Sequence, residues 1–261
     1  METPVRSEAL VVIPSDYDDS VPTPLLLLLH GLTDTAENID DHFAYGAEAE
    51  AYGFIMIAPQ GSQDSNGFQF WNATDECCNL SGKKVDDVAY LSSVIEEAKS
   101  NYTIDASRIY IVGHSNGGFM AYRMVCELQN TFAAVVSYAG ASFSDPSQCA
   151  YPDAIHALHI HGDQDELVSY VGDGPFPGAE ETIVRWANRA GCDGNTFDEG
   201  PKLDLDANTP GDETFTRLYN HNCSTTSDIQ LWTITNGVHN ITPSPSFTKS
   251  IFNWLNPKKI K

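Results

Sequence analysis

The first strong signal along the chain is an apolar run that does not alternate. "PLLLLLHG" at 24–31 sets five leucines side by side, so both faces of the segment must be covered, and it predicts a buried strand ending at His30-Gly31. A shorter apolar stretch, "ALVVIP" (Ala9–Pro14), predicts an earlier strand. The spacing then becomes helical over Ala36–Tyr52, returns to a strand in "FIMIAPQG", and dissolves into a long loop from Ser62 to Val85. In "DDVAYLSSVIEEAKSNY", Val88, Leu91, Val94 and Ile95 fall on one helical face. The rest reads as strand "RIYIVGH", helix "GGFMAYRMVCELQ", strands "FAAVVSYAG" and "IHALHIHG", helix "AEETIVRWANRAG", strand "IQLWTITNG" and a last helix around "SFTKSIFNWL".

Strands alternating with helices imply an α/β fold: a mainly parallel central sheet with helices on both faces. No repeat and no low-complexity linker divides the chain, so residues 1–261 are expected to form one domain without a large cap. In such sheets ligands bind at the carboxyl ends of strands. Chemistry is therefore expected in the loops after Leu29, Val112, Ile160 and Ile234.

"IYIVGHSNGG" meets that expectation most directly. Gly113-His114-Ser115-Asn116-Gly117 fits G-x-S-x-G, directly after an apolar strand and before a helical segment. The strand-to-helix turn is too tight for side chains at 113 and 117, and it holds the Ser115 hydroxyl clear of the sheet edge. The plainer alternative is a serine capping a helix; a phosphate loop would need a lysine that is absent. A nucleophilic serine needs a base. Among eight histidines, His239 follows the last predicted strand, where the chain order Ser, acid, His of α/β-hydrolases places it. His30 ends the leucine strand at the place of an oxyanion loop, and His114 points away from its neighbour Ser115. By position, the oxyanion donors are the backbone N–H groups of Leu32 and Asn116.

"HIHGDQDELVSY" (His159–Tyr170) supports two readings. His159 and His161 share one face of a strand and Asp163 follows, as in an H-x-H-x-D metal site; Gln164, however, stands where that pattern needs a histidine. The other reading takes one carboxylate to orient His239. Asp163, Asp165 and Glu166 are all near; Asp165 is favoured, at the loop apex before Leu167 and Val168, while Asp163 is placed to cap the turn. No metal and no cofactor is implied.

Charge narrows the partners. With 14 Lys+Arg against 36 Asp+Glu, the formal net charge is -22, a surface that repels nucleic acid and anionic membranes. The leucine run is too short to span a bilayer. The six cysteines are either reduced thiols of a cytosolic protein or disulfides; the even number without a paired CxxC favours disulfides, hence a secreted or periplasmic protein whose signal peptide is not in this chain.

Several motifs in order now carry a resemblance: "HGLTDTAEN", "WNATDECCN" with "VDDVAYL", "GHSNGGFMAYRMVCE", "HIHGDQDELVSY", "GCDG" and "LWTITNGVHN". The chain resembles the secreted α/β-hydrolase esterases that include poly(3-hydroxybutyrate) depolymerase-like, feruloyl and acetylxylan members. The resemblance implies the α/β-hydrolase fold and a serine esterase in which Ser115 is nucleophile, His239 base and Asp165, last Asp of HG-x-x-D-x-x-V, the acid. It implies feruloyl-type or related plant-polysaccharide esters as substrates, with short-chain polyester second. A non-catalytic ligand-binding relative is the alternative of another class. After the base, members often carry His-x-Trp-Pro, whereas this chain has "HNITP"; Ile241 in the Trp position is thus expected at the substrate. Phe68, Phe70 and Trp71 lie in the long loop that such folds bring over the site, and either touch substrate or pack the loop. Cys192–Cys223 is the preferred bridge. The adjacent Cys77 and Cys78 are expected to pair elsewhere, with Cys126 and Cys149 as plausible partners, or to stay free.

Overall fold

The computed structural model describes residues 6, 8–150, 155–172 and 174–260; Met1–Val5 and Lys261, the ends of the expected 1–261 domain, lie outside the described residues. The strands are β1 (Leu10–Val12), β2 (Thr23–Leu29), β3 (Ile55–Ala58), β4 (Ser62–Gln63), β5 (Gln69–Phe70), β6 (Ile104–His114), β7 (Ala134–Tyr138), β8 (His156–Gly162), β9 (Asp198–Glu199), β10 (Thr214–Leu218) and β11 (Ile229–Ile234). The helices are α1 (Ala36–Phe43), α2 (Tyr45–Tyr52), α3 (Asp87–Asn101), α4 (Asn116–Glu127), α5 (Ala179–Arg189) and α6 (Phe247–Leu255).

Nine strands form one sheet in the order β1-β3-β2-β6-β7-β8-β11-β10-β9. From β3 to β11 every neighbouring pair is parallel; β1, β10 and β9 pair antiparallel at the edges. This is the mainly parallel sheet of the α/β-hydrolase fold. The leucine run is an interior strand, third in that order, with every residue buried. Leu25, Leu27 and Leu29 pack on the side of α3, α4 and α5, and Leu26 and Leu28 on the side of α1, α2 and α6. Two covered faces are why the run does not alternate.

The expected helix over Ala36–Tyr52 is two helices. Ala44 takes a left-handed conformation (φ 57°) between them, and its N–H donates to the Asp40 carbonyl. The Asp40 side chain accepts the Gly46 N–H at 2.5 Å, so one aspartate closes α1 and steers the chain into α2. The long loop after β3 holds the β4–β5 hairpin, and β9 and β10 extend the far edge; none of these was evident from the hydrophobic pattern.

Pairing of the cysteines departs from expectation at one point. Cys192–Cys223 pairs as anticipated. Cys77 and Cys78, however, pair with each other, and Cys126 pairs with Cys149. The last two lie at the end of α4 and just before β8, with Cα atoms 4.9 Å apart, within ordinary disulfide reach, so neither is left for the CC pair. No helix among the described residues is long and apolar enough to cross a membrane.

Candidate active site

The turn between β6 and α4 is where the sequence placed it, and the glycines have a measurable reason. A Cβ on Gly113 would lie 2.1 Å from the Gly117 carbonyl oxygen, and one on Gly117 would lie 2.2 Å from the Leu29 oxygen. Ser115 itself has φ 52° and ψ −122°, a strained conformation for a residue with a side chain. Its N–H donates to the Tyr138 carbonyl at 2.8 Å, which ties the turn to the end of β7. Gly117→Ala should therefore not be a silent change: backbone on backbone cannot yield. We expect loss of soluble protein or a fall in stability of about 3 kcal/mol or more, checked by thermal denaturation.

The elbow meets its partners from two other strand ends. The Ser115 hydroxyl donates to His239 Nε2 at 2.9 Å, and His239 Nδ1–H donates to Asp165 Oδ2 at 2.8 Å. Asp165 Oδ1 accepts the N–H groups of Leu167 and Val168 at 2.9 and 2.8 Å. Burial on its own would raise the Asp165 pKa. Hydrogen bonds from His161 and His239, the charge of His239 and the Val168 N–H outweigh it and hold the carboxyl well below the usual carboxylate range. Asp163 does not reach His239; its Oδ1 accepts the Asn236 N–H at 2.7 Å and pins the loop after β8 to that after β11.

The base is held from its own backbone. Tyr138 donates its hydroxyl to the His239 carbonyl at 3.0 Å, and Glu166 accepts the His239 N–H at 3.3 Å. His114 is buried, stacks on Tyr138 with ring centroids 4.9 Å apart, and approaches the His239 carbonyl. Burial, then the neighbouring His239, pushes its pKa down to about 3. His30 is a strut: Nδ1–H donates to Gly31 and Nε2 accepts the Gly61 N–H at 2.9 Å, while its carbonyl accepts the Trp71 indole N–H.

A cleft of about 550 Å³ opens over Ser115 and His239. Leu32 lines it, and Asn116 is the first residue of α4; among the described residues neither backbone N–H has an acceptor. Two N–H groups so placed can receive a developing oxyanion. Phe119, Phe176, Leu167 and Leu80 supply apolar wall, and Cys77 and Cys78 face the cleft between Glu76 and Leu80.

The aromatic and aliphatic residues expected at the substrate are buried beside the cleft. Trp71, Phe70 and Ile241 are each no more than 1% exposed and do not line this cleft. Trp71 is held by the Asn116 side chain, which accepts its N–H at 2.7 Å and donates to its carbonyl at 2.9 Å. Ile241 packs below, and its N–H donates to the Tyr138 hydroxyl. The loop does reach the site, through Glu76–Leu80 instead of its aromatic residues. Sequence reasoning had no view of the Asn116 side chain or of Tyr138; a polar tip on the otherwise apolar end of β7, "VVSYAG", is the one available sign of the latter.

Fold and geometry together define an α/β-hydrolase with a serine–histidine–carboxylate cluster at the carboxyl edge of its sheet. A family model described as Esterase PHB depolymerase matches residues 7–172, and the chain belongs to that family. The matched stretch contains Ser115 and Asp165 and stops before His239.

Feruloyl esterase B of Piromyces equi is 29% identical over 89% of this chain and 42% of its own length. Feruloyl esterase C of Emericella nidulans is 29% identical over 71% of this chain and 62% of its own. The chain spans between 26% and 62% of the length of the first curated relatives it matches. Among solved structures, an acetyl xylan esterase from Aspergillus awamori superposes with a TM-score of 0.69 at 19% identity, covering 95% of this chain and 93% of that one, a likeness of fold.

Proposed function

We propose that the protein is a serine carboxylic-ester hydrolase working through an acyl-enzyme, and that residues 1–261 form its single catalytic domain. The observation that carries this is the unbroken contact from Ser115 through His239 to Asp165 beneath an open cleft. Ser115 attacks the ester carbonyl as His239 takes its proton, and the Leu32 and Asn116 N–H groups hold the oxyanion. His239 then protonates the leaving alcohol, and water, activated by the same histidine, frees the acid. Asp165 keeps Nδ1 protonated, so that Nε2 faces Ser115 as an acceptor. No step calls for a metal or cofactor, and ester substrate is the partner proposed.

Feruloyl-type and related plant-polysaccharide esters are the preferred substrates in this reading. The aromatic and aliphatic wall of Phe119, Phe176, Leu167 and Leu80 suits an aromatic acyl group, and the named feruloyl esterase relatives point the same way. Three cysteine pairs among the described residues support an oxidising compartment, secreted or periplasmic. A panel of methyl ferulate, acetylated xylan, p-nitrophenyl butyrate and amorphous polyhydroxybutyrate tests the preference. The largest kcat/KM is expected on methyl ferulate; ready hydrolysis of the polymer with none of the ferulate would reverse the ranking.

A further inference from the structure

Of the buried histidines that take no part in the steps above, two stand side by side on β8. His159 and His161, on one face of β8, are 0% and 1% exposed. They form a continuous line of contacts that begins on α4 and ends at the triad. The Tyr122 hydroxyl lies 2.9 Å from His159 Nδ1, and His159 Nε2 lies 3.0 Å from His161 Nδ1. His161 Nε2 lies 2.8 Å from the Val168 carbonyl oxygen and 3.1 Å from Asp165 Oδ2.

The acceptor end sets the direction of the whole line. A carbonyl and an ionised carboxylate only accept, so His161 Nε2 carries a proton. In the neutral pair, His161 Nδ1 is then an acceptor, and His159 Nε2 carries the proton between the rings. His159 Nδ1 in turn accepts from Tyr122. Burial beside the His161 ring holds the His159 pKa well below its usual value, as an uncharged ring in this line requires. In the neutral pair this order of protons satisfies every contact.

The line ends on the same oxygen that holds the base. Asp165 Oδ2 accepts from His239 and lies 3.1 Å from His161 Nε2, while Oδ1 is taken by two backbone N–H groups. We propose that His161, its tautomer set by His159 and Tyr122, is a positioning residue that fixes Asp165 Oδ2 on His239 and moderates its basicity. The inference rests on the reading of Ser115, His239 and Asp165 as a catalytic triad. A carboxylate with a second donor grips the transient imidazolium less tightly, which leaves His239 able to pass its proton to the leaving group.

Other titratable groups surround the pair. His114 comes from β6, Tyr138 from β7, Tyr122 from α4, and Asp163, Glu166 and Tyr170 from the loop after β8. Among the described residues none of these hydrogen-bonds to the Asp165 carboxylate; Glu166 accepts the His239 N–H, and Tyr170 meets the His161 ring edge-on at 5.8 Å. Besides His239, His161 is thus the side chain whose N–H comes within 3.1 Å of Oδ2, and its removal changes Asp165 without touching the base.

The test compares His161→Met, which keeps bulk and loses the donor, with His161→Gln, which retains an N–H near the Nε2 position, and with Tyr122→Phe. The readouts are kcat, KM and the pH profile of kcat/KM on p-nitrophenyl acetate, with melting temperature alongside. His161→Met is expected to lower kcat about 10- to 100-fold with KM little changed, as for loss of one charge-assisted hydrogen bond. Its acid limb should move to higher pH by about half a unit or more, because an uncompensated carboxylate holds the imidazolium proton more firmly. His161→Gln should stay within about threefold of wild type with its limb in place. Tyr122→Phe should shift the limb in the same direction by less.

A folded His161→Met with an unmoved limb, or a His161→Gln as impaired as His161→Met, would overturn the proposal. If His161→Met does not fold, Tyr122→Phe decides, and an unaltered kcat and limb there would reject it. The triad reading fails separately: wild type would then show no Ser115-dependent hydrolysis at all, before any His161 variant is compared.

Discussion

Ser115→Ala should reduce kcat on p-nitrophenyl acetate by about 10⁶-fold while leaving KM within a few-fold of wild type. Among the described residues the hydroxyl makes one side-chain hydrogen bond, to His239 Nε2, and its loss removes nothing that holds the elbow. The turn is kept by Gly113, Gly117 and the Ser115 N–H on the Tyr138 carbonyl, all of which survive the change. The Leu32 and Asn116 N–H groups survive too, so a residue of about 10³- to 10⁴-fold over water is expected from oxyanion stabilisation and binding alone. Steady-state kinetics with a melting curve checks both halves. A variant that melts normally and retains a tenth of the activity would remove Ser115 from the chemistry.

Asp165→Asn should cost about 10⁴-fold in kcat, and Asp163→Asn no more than a few-fold. The size of the first effect follows from the donors around the carboxylate. Oδ1 accepts the Leu167 and Val168 N–H groups, so an asparagine must place its amide oxygen there. Its NH2 is then forced against His161 Nε2–H and toward His239 Nδ1. His239 can meet that NH2 only by moving its proton to Nε2, which turns a donor toward Ser115 where an acceptor is needed. At Asp163 the amide oxygen of asparagine keeps the contact to the Asn236 N–H, and nothing in the reaction path changes. The opposite ranking of the two variants, measured as kcat at the pH optimum, would transfer the role of acid to Asp163.

Much of this was legible because the residues concerned have few alternatives. Five consecutive leucines need two covered faces, and the interior strand β2 supplies them. Glycines at 113 and 117 flank a turn in which a Cβ meets backbone, so the motif and its geometry are one constraint. Asp165 was separated from Asp163 by its place before Leu167 and Val168, the residues whose N–H groups hold it.

Elements set by side-chain hydrogen bonds were not legible. The break at Ala44 depends on Asp40 meeting Gly46, and the seat of Trp71 on the Asn116 amide 45 positions away. A tryptophan in a loop fits substrate contact or burial equally well in sequence; its contacts choose burial. The strands β9 and β10 are short and lie at a sheet edge, where half-exposed residues leave a weak pattern. Cysteine pairing depends on which chain ends meet, and the neighbourhood of Cys126 and Cys149 comes from the packing of α4 against the segment before β8.

Covalent capture tests the central claim most directly. Incubation with a fluorophosphonate and intact-mass analysis should give one adduct per chain, mapped by peptide sequencing to Ser115 and absent in Ser115→Ala. His239→Ala should label far more slowly, since the base that activates the hydroxyl is gone. Wild-type protein that hydrolyses p-nitrophenyl acetate yet stays unlabelled at Ser115, or labels at another serine, would contradict the account.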